Sequence, residues 1–208
     1  MSPAFRYLEI PNFDQVSNKI LELVTTRLYK TVVDGNTVFR FCETPDAVEF
    51  DIRNNKEFWN FLDCQEILGL VPELSQILNN LKVTPLHMSL IVVTNDGTPL
   101  HSDFAPEGTV ERINWPIANG HTSQTWFMEV SPYANVEISD PQSKEANKEY
   151  CLYDFKDAVR KLGSYILTRP VVFDFTVPHY VQSINNKKTH PDLPRLLLTI
   201  DIDRSLIK

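Results

Sequence analysis

Val171-Val172-Phe173-Asp174-Phe175-Thr176-Val177-Pro178-His179-Tyr180-Val181 is the stretch on which the reading of this chain turns. Its β-branched and aromatic residues read as two short extended runs, 170–175 and 180–184, with Pro178-His179 at the entry to the second. Outward from it the same grain continues. Runs at 86–93, 100–104, 112–117, 125–130 and 196–202 are each of strand length. Asn95-Asp96-Gly97 and Asn185-Asn186-Lys187-Lys188 supply turn chemistry between apolar neighbours. Seven or eight short strands following a helical N-terminal part predict a mainly β chain, a jelly roll or related β-sandwich with its helices packed outside.

Two apolar periodicities define that N-terminal part. Val16, Ile20, Leu21, Val24 and Leu28 recur at helical spacing over 13–29 after Asn12, a cap former. Phe61, Ile67, Leu70, Leu74, Ile77 and Leu81 do so over 58–81. A polar loop followed by a short helix over 153–162 is expected to interrupt the strands. With 208 residues, 42% of them hydrophobic, and only 6 glycines, the chain reads as one domain, 1–82 mostly helical and 83–208 the β core.

The formal net charge of −7, without any dense run of Lys and Arg, gives no electrostatic footprint for duplex nucleic acid, and no nucleic-acid partner is expected. No stretch approaches the roughly 20 apolar residues of a membrane span, and the first residues have neither an apolar core nor a small-residue cleavage site. The expectation is a cytoplasmic protein without a membrane partner. Cys42, Cys64 and Cys151 are odd in number and widely spaced, as reduced structural thiols would be.

The chemistry-bearing residues fall within the strand region. In His101-Ser102-Asp103, residues i and i+2 of an extended strand point to one face, so both side chains can reach a single ion. A chain with five histidines and 14 aspartates produces that spacing by chance roughly 0.3 times, so context must decide. His179 supplies context. Two imidazoles and one carboxylate on rigid strands form a facial triad, which suits Fe(II) and leaves three coordination positions open. Arg195 begins the last strand sixteen residues later, in Pro194-Arg195-Leu196-Leu197-Leu198-Thr199. A fixed guanidinium there can pair in a fork with the far carboxylate of a dicarboxylic cosubstrate.

His101-x-Asp103, Pro178-His179-x-Val181 and Arg195, in that order, resemble the iron(II)- and 2-oxoglutarate-dependent oxygenases. Arg112-Ile113-Asn114-Trp115-Pro116-Ile117 and Thr125-Trp126-Phe127 look like the strand pair of short members resembling prolyl and aspartyl/asparaginyl hydroxylases. The resemblance covers about 86–203. It implies a double-stranded β-helix, a cupin-like jelly roll, with Fe(II) on His101, Asp103 and His179 and 2-oxoglutarate on Arg195. It also implies a polar side chain from an early strand near the cosubstrate, for which Asn114 and His87 are the candidates. Trp126 is a candidate aromatic shield beside the open metal position. The chain departs from the pattern after the arginine, where Leu196 and Leu197 stand in place of a hydroxyl residue.

The implied activity is hydroxylation of a protein side chain or small molecule, with O₂ consumed and succinate and CO₂ released. Two readings share the fold: a jelly roll keeping a relict metal site, and a cupin-like metal enzyme that uses no 2-oxoglutarate. Loops 104–111, 139–148 and 187–193 are expected to choose the substrate.

Overall fold

A computed structural model of the chain describes residues 4–33, 36–41, 58–93, 97–103, 107–138 and 150–207. Cys42, the turn residues Asn95 and Asp96, and the whole of the 139–148 loop lie outside the described residues.

Two six-stranded antiparallel sheets form a jelly-roll sandwich. The first runs in the order β1 (Phe5–Tyr7), β12 (Val171–Phe173), β7 (Glu111–Ala118), β14 (Arg195–Ile202), β5 (Pro85–Val93), β4 (Phe58–Leu62). The second runs β11 (Ala158–Ile166), β8 (Ser123–Val130), β13 (His179–Ser183), β6 (His101–Asp103), β10 (Tyr150–Tyr153), β9 (Val136–Ile138). A separate hairpin pairs β2 (Leu28–Val33) with β3 (Asn36–Phe41). All seven strands expected from the sequence are present, within a few residues at their ends.

Helices cover the outer face of the first sheet. Val16, Ile20 and Val24 of α1 (Phe13–Thr26), with Ile67 of α2 (Cys64–Leu70) and Leu74 and Leu78 of α3 (Pro72–Leu81), share one core with Ile113 and Trp115 of β7 and Leu198 and Ile200 of β14. The fully buried Trp115 donates its indole N–H to Ser17 Oγ at 2.9 Å, and Ser17 donates onward to the Pro116 carbonyl at 2.7 Å. Both polar groups that come with this contact are thereby satisfied, so α1 docks without leaving a buried donor unpaired. β7 and β14 are buried along their whole length, because helices lie on one face and the second sheet on the other.

Alternation then fixes what faces the interior of the sandwich. Since Ile113, Ile200 and Met88 belong to the helix-side core, their strand neighbours point the other way. Cross-strand register makes rows of these neighbours, His87–Asp201–Arg112 and Ser89–Thr199–Asn114. Two polar rows therefore line an interior whose remaining wall is apolar, built from Phe127, Phe173, Phe175 and Leu197.

Three expectations change. Residues 153–162 are not helical: β10 ends at Tyr153, a 3-10 turn spans Phe155–Asp157, and β11 follows. The segment 58–81 divides into β4, α2 and α3. Asp63 accepts from the Gln65 and Glu66 amides to start α2, and Pro72 opens α3 where a missing N–H costs nothing. The first helix stops at Thr26, and Asn12 precedes it with left-handed backbone and no side-chain capping bond. No helix among the described residues is long and apolar enough to cross a membrane.

Candidate metal centre and adjoining pocket

His101 and His179 are direct cross-strand partners where β6 meets β13, and their rings lie 4.4 Å apart between centroids. Asp103, two residues along β6, joins them. One ligand atom from each of the three residues lies within 4.8 Å of the others. His101 Nε2 and Asp103 Oδ1 are 3.6 Å apart, close to the roughly 3 Å between adjacent ligands of an octahedral ion with bonds near 2.1 Å.

The tautomers follow from the hydrogen bonds. His101 Nδ1 is 2.8 Å from the Pro99 carbonyl, and His179 Nδ1 is 2.9 Å from the Val177 carbonyl. A carbonyl only accepts, so each Nδ1 carries a proton, and in the neutral ring it is Nε2 that holds the lone pair for a metal. Burial, reinforced by the neighbouring His101, lowers the His179 pKa to about 4, which keeps this imidazole neutral in ordinary buffers. Phe127 and Phe173 stand 5.8 and 5.6 Å from the His179 ring and form a dry wall behind it. This donor set, two imidazoles and one carboxylate, fits a divalent first-row metal.

Asp103 is held from behind. Its Oδ2 accepts from Nη1 of Arg112, whose Nε donates to Asp201 Oδ1 at 2.5 Å. Burial works against the Arg112 charge, but the carboxylates of Asp103 and Asp201 outweigh it and raise the guanidinium above its ordinary range. Arg112 and Asp201 were not among the residues expected from the sequence, although Arg112 shares a strand face with Asn114.

Arg195 is buried at the start of β14. It lines a pocket of about 390 Å³ together with Lys188, Ser123, Val93 and Val181. Val181 lies two residues beyond His179 on β13 and so shares its face. Ser123 Oγ is buried with no hydrogen-bond partner among the described residues. The pocket's far wall, Asp192 to Pro194, is pinned by Asn119, whose Nδ2 donates to the carbonyls of His190, Leu193 and Pro194 at 2.9, 3.0 and 3.1 Å.

Asn114 points into the interior, where its Nδ2 donates to the Tyr165 hydroxyl at 2.9 Å while its Oδ1 has no partner among the described residues. Burial raises the Tyr165 pKa; hydrogen bonding with Thr125 and Asn114 and the nearby Arg195 charge act in the opposite sense. Tyr165 and Ser123 are hydroxyl residues near this interior that the sequence did not single out. His87 lies in the row of Asp201 and Arg112, two strands from Arg112. Trp126 is not brought to the centre. Phe127 faces inward, so Trp126 faces out, stacked at 6.5 Å on Tyr180 with Lys161 Nζ 4.2 Å from its ring centroid.

No family model matches the chain, and no curated protein matches it. Among solved structures, AviO1 from Streptomyces viridochromogenes Tue57 aligns with TM-score 0.43 and 13% identity over 99% of this chain and 91% of that one. The epimerase SnoN, crystallised with Fe3+, alpha-ketoglutarate and nogalamycin RO, aligns with TM-score 0.46 and 10% identity over 97% of this chain and 79% of that one. EvdMO1 gives TM-score 0.44 and 13% identity, covering 97% of this chain and 47% of its own. Values this low carry no function from one chain to another.

Proposed function

We propose that this chain is an iron(II)- and 2-oxoglutarate-dependent oxygenase that oxidises a C–H bond of a small molecule or a protein side chain. The observation that carries the reading is the convergence of two Nε2 lone pairs and one Asp103 oxygen, with a buried guanidinium in the adjoining pocket. His101, Asp103 and His179 would hold the metal. Arg195 would pair with the far carboxylate of the cosubstrate, and Ser123 or Tyr165 would give the hydroxyl that Leu196 and Leu197 do not. Bound Fe(II) with 2-oxoglutarate supplies O₂ activation, and the default outcome is hydroxylation with succinate and CO₂ as coproducts. The protein's own part is to orient the ligands, neutralise the cosubstrate and exclude water with Phe127 and Phe173.

Anaerobic titration with Fe(II) and then 2-oxoglutarate tests the reading through the weak visible charge-transfer band of the chelate, followed by succinate release on admitting O₂. Asp103→Ala is expected to lose iron, whereas Arg195→Ala keeps iron and requires more 2-oxoglutarate to develop the band. Metal binding without a band or succinate in the parent protein overturns the use of 2-oxoglutarate and leaves cupin-like metal chemistry.

A further inference from the structure

We propose that Arg112, clamped by Asp201, is a positioning residue that holds Asp103 as a one-oxygen ligand. The inference rests on the metal-centre reading above. Arg112 is 1% exposed and its guanidinium is divided between two carboxylates. Nε and Nη2 face Asp201 Oδ1 and Oδ2 at 2.5 and 3.4 Å, which orients the planar group from the adjacent strand. Nη1 takes Asp103 Oδ2, while Asp103 Oδ1 remains turned toward His101 Nε2 at 3.6 Å. The Phe175 ring lies 5.2 Å from Arg112 Cζ and closes that side.

The consequences are geometric and electrostatic. With Oδ2 engaged, Asp103 cannot swing to present both oxygens, so it occupies one coordination position and leaves three open after the two imidazoles. The two acids and one guanidinium sum to a single negative charge. A dication therefore meets a site of net −1 rather than a pair of buried carboxylates.

Positioning and simple charge balance predict opposite results. If Arg112 acted only as a cation, Arg112→Lys would bind metal like the parent and Arg112→Gln would bind a dication more tightly. If it positions Asp103, both variants weaken binding, by roughly 10- to 100-fold, as loss of an outer hydrogen-bond partner of a metal ligand does. Asp201→Asn, which leaves Arg112 charged but loosens its clamp, weakens binding in the same range.

The experiment is a Co(II) titration of the metal-free protein read by visible absorption, with thermal unfolding followed in parallel. At saturating Co(II) the variants are expected to show a shifted visible band, because Asp103 is released to bind through both oxygens. A purely structural ion-pair role would lower the melting temperature while leaving affinity and band unchanged, and that result overturns the proposal. If the Arg112 and Asp201 variants do not fold, X-ray absorption of the Co(II)-loaded parent decides: a one-oxygen carboxylate is expected, and a two-oxygen carboxylate refutes it. A parent that binds no Co(II) or Fe(II) removes the metal-centre reading itself. A parent that binds, with variants identical to it, removes only the role of Arg112.

Discussion

Asn119 offers the sharpest test of how the Arg195 pocket is built. Its side chain makes three donor contacts to the carbonyls of His190, Leu193 and Pro194 and accepts from the His190 amide at 3.0 Å. Its backbone sits in the left-handed region at φ 55°. Two amide hydrogens shared over three acceptors amount to about two full hydrogen bonds, and the acceptor adds one more. At about 1 kcal/mol each, Asn119→Ala loses roughly 3 kcal/mol from hydrogen bonding. Forcing alanine into left-handed backbone adds about 1 kcal/mol. Asn119→Gly removes the same bonds without that strain, so the two variants separate the contributions. Urea unfolding measures the loss, and hydrogen exchange over 188–195 shows whether the pocket wall has come loose. A loss below about 1 kcal/mol with unchanged exchange would refute the claim that this side chain pins the wall.

Gly97 touches the same region: a Cβ there would lie 2.1 Å from the Val181 carbonyl oxygen, at a φ of 151°. Gly97→Ala is therefore expected to cost about 2–3 kcal/mol in urea unfolding and to open the Thr98 amide bond to Val181. The metal-free protein should lose stability as pH falls. His179 takes up its proton near 6.5 when unfolded but only at about 4 when folded, so the unfolded state binds more protons between those values. Integrated over that window the loss is about 3 kcal/mol, complete below pH 4 and absent above pH 6.5. Melting curves taken across the window check it, and a His179→Gln variant with an equally steep dependence would assign the effect elsewhere.

Much of the β core is legible because the two faces of a strand such as β7 meet different surroundings, apolar against the helices and polar toward the interior, which leaves a period-2 trace although both faces are buried. Arg112 to Ile117 alternates polar and apolar residues, and the structure sends one set to the helices and the other inward. Residues 153–162 mislead for a definite reason. Phe155, Val159 and Leu162 recur at helical spacing, yet all three are exposed, and β11 carries register shifts that break its alternation. The β2–β3 hairpin had a signal in Asp34-Gly35 between β-branched residues, which the preceding helical period masked.

His101, Asp103 and His179, singled out by spacing and order, are brought together, and Arg195 is buried beside a pocket. The clamp of Asp201 on Arg112 depends on cross-strand register and the meeting of Asn114 with Tyr165 on the packing of one sheet against the other, joining residues 89 and 51 positions apart. Nothing local encodes such pairings. Trp126, a candidate shield from its neighbourhood in sequence, shares a strand with Phe127 and faces the other way.

Each histidine of the candidate metal centre is held by a carbonyl two residues earlier on its own chain segment, so its aim does not depend on the ion it would receive. The entropy of arranging the ligands is thus spent during folding rather than at metal uptake. A site prepared in this way does not discriminate by closing around one ion, so its preference among divalent metals should follow their intrinsic order of affinity. Selection of iron would then fall to the metal supply that surrounds the protein.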